Sequence, residues 1–273
     1  MMIENNSVLK YKPRSEIVKL SYYPINDNFG VLVIYINRPD KLNALSENVL
    51  SELINVFDYY LDDDSVRGII LTGVGDKAFV AGADIKQMST MNSDQAYLYS
   101  KKGHELCNLV SNYKKPIIAA VNGFALGGGC ELALSCHIRF SSSNAVFAQP
   151  EVKLGIIAGW GGTQRLFRLI GPASALDILL SGRMVNAEEA KEIGLINGIF
   201  PNNLIEESLS YLKSIISNSP NALDLTIEAL NYGLNNSLVD SLEYESKLFR
   251  DSFKHNDSKV GLSAFLKKEK PQF

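Results

Sequence analysis

Two glutamates stand out by their surroundings. Glu131 lies in Asn122-Gly-Phe-Ala-Leu-Gly-Gly-Gly-Cys-Glu-Leu-Ala-Leu-Ser-Cys136, a segment otherwise almost wholly apolar. A carboxylate in such a wall must be solvated, paired or used. Glu151 comes 20 residues later in Gln149-Pro-Glu-Val-Lys-Leu-Gly155, after a proline and before an apolar turn. Two carboxylates in one pocket can divide acid and base work. A second reading of Glu131 is that, one turn into a helix, it only complements the helix dipole. Spacing by itself does not bring the two side chains together.

The three glycines before Glu131 follow a strand pattern and open a helix pattern. Glycine there lets backbone N–H groups approach a ligand, and a helix N-terminus adds unpaired donors and partial positive charge, which suits a developing anion. The same glycines also suit tight helix–strand packing. A second glycine-bearing segment, Gly73-Val-Gly-Asp-Lys-Ala-Phe-Val-Ala-Gly-Ala-Asp-Ile-Lys-Gln-Met88, contains G-x-G-x-x-A. No long helix opens after it, so it reads as a loop whose N–H groups near Ala83 face a ligand rather than as a dinucleotide fingerprint. His104, His137, His255 and the three cysteines lack metal-ligand spacing. Cys130 reads as a small buried hydrophobe, and Lys114-Lys115 and Lys267-Lys268 as solvated pairs able to meet a phosphate.

The elements that must hold these residues follow from periodicity. Residues 17–22 and 30–36 read as strands around a turn, and the unbroken apolar run 31–36 marks a strand covered on both faces. Ser46 is placed to cap a helix carrying Leu50, Leu53, Ile54, Phe57 and Leu61. Strand, helix, strand, helix follow at 66–72, 93–112, 116–121 and from 128, then short strands at 138–142 and 145–148. This alternation predicts an α/β fold with a mostly parallel sheet. From Trp160 onward the pattern is mainly helical, with Asn186 capping 187–193. The division expected is a frayed segment 1–15, an α/β core 16–200 and a helical region 201–273.

Composition excludes several classes. Lys plus Arg is 27 against 30 Asp plus Glu, a net charge of −3, which argues against a nucleic-acid partner. Three cysteines in 273 residues make no disulfide framework and fit a cytoplasmic setting. No secretory pattern opens the chain. The longest apolar stretch, 117–134, is broken by Asn122, glycines and Glu131, so no membrane association is expected.

Read together, Asn37-Arg-Pro-Asp-Lys-Leu-Asn-Ala-Leu45, Ala78-Phe-Val-Ala-Gly-Ala-Asp-Ile-Lys86, Lys115-Pro-Ile-Ile-Ala-Ala-Val-Asn-Gly123, Gly127-Gly-Gly-Cys-Glu131, Gln149-Pro-Glu151 and Gly159-Trp-Gly-Gly-Thr-Gln-Arg-Leu166 resemble the crotonase (enoyl-CoA hydratase/isomerase) family, in order, over roughly residues 16–273. The resemblance implies a core of repeated ββα units and a helical C-terminal region that builds trimers or hexamers. It implies acyl-CoA thioester substrates and no cofactor beyond the CoA they carry. The N–H groups of Ala83 and Gly128 would form an oxyanion hole. Lys41, Leu42 and Ala44, with Ala83, Asp84, Ile85 and Lys86, would line the acyl-CoA site. Glu131 and Glu151 would be the catalytic carboxylates, with Gly159 in the loop beside them, and Phe265 and Lys268 would touch CoA from the tail. Having both glutamates is the hydratase pattern, that of a hydro-lyase of fatty-acid metabolism. A 3-enoyl to 2-enoyl-CoA isomerase working chiefly through Glu151 is the sister reading, and an RNA-binding or scaffolding relative the reading from another class. Ala158 stands where many hydratases have proline, and the tail carries Lys267 and Glu269 where an acid-then-base order is commoner.

Overall fold

The computed structural model describes residues 4–6 and 9–273. In chain order the elements are β1 (Val18–Pro24), β2 (Gly30–Ile36), α1 (Glu47–Tyr60), β3 (Val66–Gly73), β4 (Ala78–Val80), α2 (Ile85–Met88), α3 (Ser93–Ser111), β5 (Ile117–Val121), β6 (Phe124–Leu126), α4 (Gly128–Ser135), β7 (Ile138–Ser141), β8 (Val146–Ala148), α5 (Gly162–Ile170), α6 (Pro172–Ser181), β9 (Val185–Asn186), α7 (Ala187–Glu192), β10 (Gly198–Ile199), α8 (Leu204–Ile216), α9 (Pro220–Gly233), α10 (Leu238–Ser252) and α11 (Asn256–Lys267).

These strands build two sheets, one of six in the order β1-β2-β3-β5-β7-β10 and one of four in the order β4-β6-β8-β9. The chain repeats one move: a strand enters the first sheet, a short strand enters the second, and a helical stretch leads to the next turn. β3-β4, β5-β6 and β7-β8 each make that step, and their strands run parallel to the same members of the next step. The repeated ββα unit expected from the resemblance is present. Two sheets stand in place of the single mostly parallel sheet expected; β4 and β6, which found the second, are only three residues long and show no period of their own. β1 and β2 form the expected hairpin, antiparallel, with Val18 opposite Ile36.

The continuous apolar run of β2 is explained by layers on both faces. Leu32, Ile34 and Ile36 join the core beneath α1 and α3, whereas Val31 and Val33 join Ile70, Ile118 and Phe140 under Leu209, Leu212 and Ile216 of α8. Each such side chain, fully buried, contributes roughly 1.5–3 kcal/mol. The core therefore runs on past residue 200 through α8, and the helices α9, α10 and α11 stand outside that layer.

Of the segment expected to fray, residues 1–3, 7 and 8 lie outside the described residues, and the stretch from 9 to 15 is held rather than frayed. Tyr11 donates its hydroxyl to the buried Glu52 at 2.8 Å, the Arg14 N–H donates to the same carboxylate at 3.1 Å, and Lys10 pairs with Asp63 at 3.1 Å. Ser46 precedes α1 as expected but makes no capping bond through its side chain. The Glu47 N–H is met instead by the Gln87 side chain at 3.2 Å, which ties α2 to the start of α1. Asn186 does cap α7, accepting from the Glu189 N–H at 2.9 Å. Lys115 is not a solvated cation: its ammonium donates to the carbonyls of Tyr60 and Asp63, and burial pulls it down to about 8.

Candidate active site

The glycine run at the start of α4 divides its labour residue by residue. Gly127 sits at φ +49°, in the region that favours glycine, and a Cβ there would lie 2.6 Å from a Glu151 carboxylate oxygen. A Cβ on Gly128 would lie 2.5 Å from the Trp160 indole, and one on Gly129 would lie 2.0 Å from the Val80 carbonyl. So the packing reading holds for Gly129, while Gly127 and Gly128 make room for groups of the site. Gly128 begins α4, and its N–H has no acceptor among the described residues.

A second unspent donor comes from the loop after β4. Leu45 and Ala83 form an isolated parallel bridge, with Leu45 N–H donating to Gly82 and Asp84 N–H to Leu45, which leaves the Ala83 N–H without an acceptor among the described residues. Arg38 clamps the two loops by donating to the Ala44 carbonyl at 2.5 Å and to the Asp84 carboxylate at 3.2 Å. Burial pushes the Asp84 carboxyl up, but the bonds from Arg38 and the Gln87 N–H outweigh it and hold the group below the usual range. Asn43, fully buried, braces the same loop through the Val74 and Ala78 carbonyls at 3.1 and 2.7 Å. That brace holds Leu42 and Asn43 at φ +48° and +58°, a conformation that strains side-chain-bearing residues.

Glu131 is 2% exposed. One of its oxygens accepts the N–H groups of Trp160 and Gly162, each at 2.7 Å. Burial lifts its carboxyl to about 7, with the charge of Glu151 adding to the rise and the two N–H groups opposing it. The Glu151 carboxyl is also raised, by burial. Gln149, buried, sets its amide against Glu151, and in the amide orientation that satisfies both groups its nitrogen donates to the two carboxylate oxygens at 3.2 and 3.3 Å. Two carboxylates thus flank the N-terminal end of α4, where the Gly128 donor sits. The arrangement suits a reaction that stabilises an oxyanion while one proton leaves and another arrives.

The remaining expected residues fall in two groups. Lys41, Leu42, Ile85 and Lys86 form an exposed rim beside Ala44, Ala83 and Asp84. Gly159 has its carbonyl held by the Ser100 hydroxyl at 2.5 Å, which fixes the loop before Trp160. Phe265 and Lys268 do not join the site within one chain. The start of α11 is tied through Asp257 to Ser219 at 2.6 Å and shares a cavity with Val66 and Pro116, at the opening ends of β3 and β5. Ala83 and Gly128 lie beyond the closing ends of those chain segments, and Phe265 is 80% exposed.

Three participants were given no role by the sequence, although two of them, Trp160 and Gln149, stand in the segments that carry the resemblance. Trp160 holds Glu131 through its N–H, and its indole fills the space over Gly128 and against Gly103 of α3, where a Cβ would fall 2.1 Å from the ring. Tyr99 meets that indole edge-on at 5.4 Å and donates to the Leu45 carbonyl at 2.9 Å, so one aromatic pair braces both donor loops. Gln149 is the third. A glycine in the middle of a 19-residue helix, which costs roughly 1 kcal/mol relative to alanine, was the available signal for the indole. Cys130 is buried, which pushes its thiol up to about 12 and disfavours the thiolate a nucleophile needs, and the described residues hold no cluster of three metal-ligating side chains.

Residues 26–273 match the model of the family described as enoyl-CoA hydratase/isomerase. The chain is 44% identical over 241 residues to a short-chain-enoyl-CoA hydratase of Clostridium acetobutylicum, covering 88% of this chain and 92% of that protein. It is 43% identical over 242 residues to a crotonyl-CoA hydratase of Syntrophomonas wolfei, covering 88% and 93%. Its fold superposes on the crystal structure of an enoyl-CoA hydratase from Bacillus anthracis with a TM-score of 0.87 at 36% identity, covering 93% of this chain and 98% of that one.

Proposed function

The chain belongs to the enoyl-CoA hydratase/isomerase family, and from that premise we propose that it adds water reversibly across the 2,3 double bond of 2-enoyl-CoA thioesters to give 3-hydroxyacyl-CoA. The observation that carries the reading is the presence of both carboxylates, Glu131 and Glu151, with two backbone donors, at Ala83 and Gly128, that have no acceptor among the described residues. Attack of water on C3 moves charge onto the thioester oxygen. The N–H groups of Ala83 and Gly128 are assigned to that oxygen, each such donor typically supporting ~3–4 kcal/mol of barrier reduction. Glu131, anchored on one oxygen by two N–H groups, keeps its other oxygen to take a proton from water. Glu151 delivers the proton to C2. Each turnover leaves a proton gained at Glu131 and one lost at Glu151, and exchange with water restores the pair. Lys41, Leu42, Ala44, Asp84, Ile85 and Lys86 are assigned to the CoA and pantetheine.

The reaction is redox-neutral and the two carboxylates supply both proton transfers, so no metal or redox cofactor is required. After exhaustive chelation the protein is expected to bleach the conjugated-thioester absorbance of a short 2-enoyl-CoA at an unchanged rate. A faster reaction with a 3-enoyl-CoA than with the 2-enoyl-CoA would favour the isomerase instead.

The raised carboxyl of Glu131 sets a pH dependence. The base works ionised and the acid protonated, so kcat/KM is expected to be bell-shaped: it falls roughly tenfold per unit well below about 7, where Glu131 takes up a proton, and falls again at higher pH, where Glu151 gives one up. A flat profile from pH 5 to 8 would remove Glu131 from the base role.

The chain also leaves apolar surface that a single copy does not cover. Leu238, Val239, Leu242 and Phe249 of α10 are each more than half exposed, as are Phe265 and Leu266, whereas Leu248 is buried and Leu223 and Ile227 are half-buried. This supports a trimer or a pair of trimers, in which Phe265 and Lys268 reach CoA bound to a neighbour. Light scattering is expected to report three or six copies of the 30.1 kDa chain. Removing residues 257–273 should raise KM several-fold more than it lowers kcat. A fully active monomer would sink both parts of this assignment. Among the described residues no helix is long and apolar enough to cross a membrane.

A further inference from the structure

At the C-terminal end of α4, between α3, α5 and α9, lies a cavity of ≈ 640 Å³ that the reaction does not use. Its charged lining has one sign: Arg139, Arg165 and Arg168 line it, and no aspartate or glutamate does. None of these arginines makes a salt bridge among the described residues.

Arg139 is 6% exposed, donates from Nε to the Leu195 carbonyl at 2.9 Å and from Nη1 to the Cys136 carbonyl at 2.5 Å, and has no partner among the described residues for Nη2. Arg165 donates to the Trp160 carbonyl at 3.0 Å and to the Asn108 side chain at 2.7 Å, both neutral. Gly161 gives it room, because a Cβ there would lie 2.0 Å from Nη1. Arg168 donates to Gln164 of its own helix at 2.8 and 3.2 Å and lies 4.6 Å from the centroid of the Phe167 ring, both neutral partners. His137 adds no charge to the cavity, since its ring accepts from the Ile117 N–H and meets the Ser111 carbonyl, and burial pulls it down to about 4. Burial lowers His104, and the charges of Arg165 and Lys101 lower it further, the mark of a positive field.

Buried cations are ordinarily paired, and guanidinium groups match carboxylate and phosphate oxygens in geometry. We propose that this cavity binds an oxyanion of the carboxylate or phosphate class between Arg139, Arg165 and Arg168, separate from the acyl-CoA site. The anion is either a free small molecule or a carboxylate of a second copy of the chain, whose approach the exposed Leu230 and Leu234 at the rim would favour.

The test is calorimetric titration of inorganic phosphate into the full-length protein, with saturating free CoA present to fill the substrate's own phosphate contacts. Arg168→Gln is the variant, chosen because Arg168 is exposed and away from the carboxylates, and Arg168→Lys keeps the charge. One saturable phosphate per chain, weakened at least tenfold by Arg168→Gln and less by Arg168→Lys, with hydratase activity within twofold of wild type, establishes a site for a free anion. Absent phosphate uptake together with an assembly that Arg168→Gln loosens at least tenfold in concentration assigns the anion to a second copy. Phosphate uptake indifferent to Arg168→Gln, or absent uptake with unchanged assembly, overturns the proposal.

Discussion

Glu131→Gln and Glu151→Gln are each expected to lower hydratase turnover by at least ~100-fold, the low end for loss of a positioned acid or base. Both substitutions are close to isosteric with the native side chains. After Glu131→Gln the new amide carbonyl can still accept the Trp160 and Gly162 N–H groups, and after Glu151→Gln the new carbonyl can still accept from Gln149, so the loss falls on proton transfer and not on geometry. Stability supplies the control. Because burial raises the Glu131 carboxyl above its unfolded value, the protonated form favours folding, and that contribution is present below the unfolded value and lost as pH rises through about 7. The amide introduced by Glu131→Gln is neutral throughout. That variant should therefore melt no lower than wild type at pH 8 while being nearly inactive. Turnover within tenfold of wild type in either variant would reject the two-carboxylate mechanism.

The second large effect belongs to Gly128→Ala. The new Cβ falls 2.5 Å from one indole carbon of Trp160 and 2.7 Å from another. The ring cannot retreat, held as it is by Gly103 on one side and Tyr99 on the other. The backbone at 128 must shift, and with it the N–H assigned to the thioester oxygen. Loss of one such donor typically costs 10²–10³ in kcat, or ~3–4 kcal/mol. Gly129→Ala offers the contrast, because its Cβ meets the Val80 backbone at 2.0 Å and should harm folding before it harms chemistry. Gly128→Ala with kcat within tenfold of wild type would take Gly128 out of the oxyanion hole.

How much of the molecule is legible in its sequence depends on the range of the interactions. The double-sided burial of β2 is written in six adjacent residues, and the helix after Gly127 in three glycines and an apolar run, so local pattern was enough. Glu131 and Glu151 showed themselves because each is a charge in apolar company. Strands of three residues, β4 and β6, carry no period to detect. Gln87 displacing Ser46 at the cap of α1, and Glu52 gathering Tyr11 and Arg14, are long-range bonds between residues unremarkable in their own segments. Trp160 belongs with these: its neighbours in the sequence do not disclose that its ring lies against a helix 57 positions earlier.

That ring has a consequence for how this sequence can change over time. Gly103 and Trp160 are a matched void and filling, and position 103 cannot gain a side chain while the indole is in place. Any side chain at 103 collides with the indole, whereas a smaller residue at 160 leaves an empty space that still admits glycine. Substitutions along a lineage are therefore ordered: position 160 must shrink first, and only then does 103 become free to gain a Cβ. This is epistasis with a direction. Relatives with a small residue at the position of Trp160 are the backgrounds in which the Gly103 position can become alanine and α3 can recover its helix propensity.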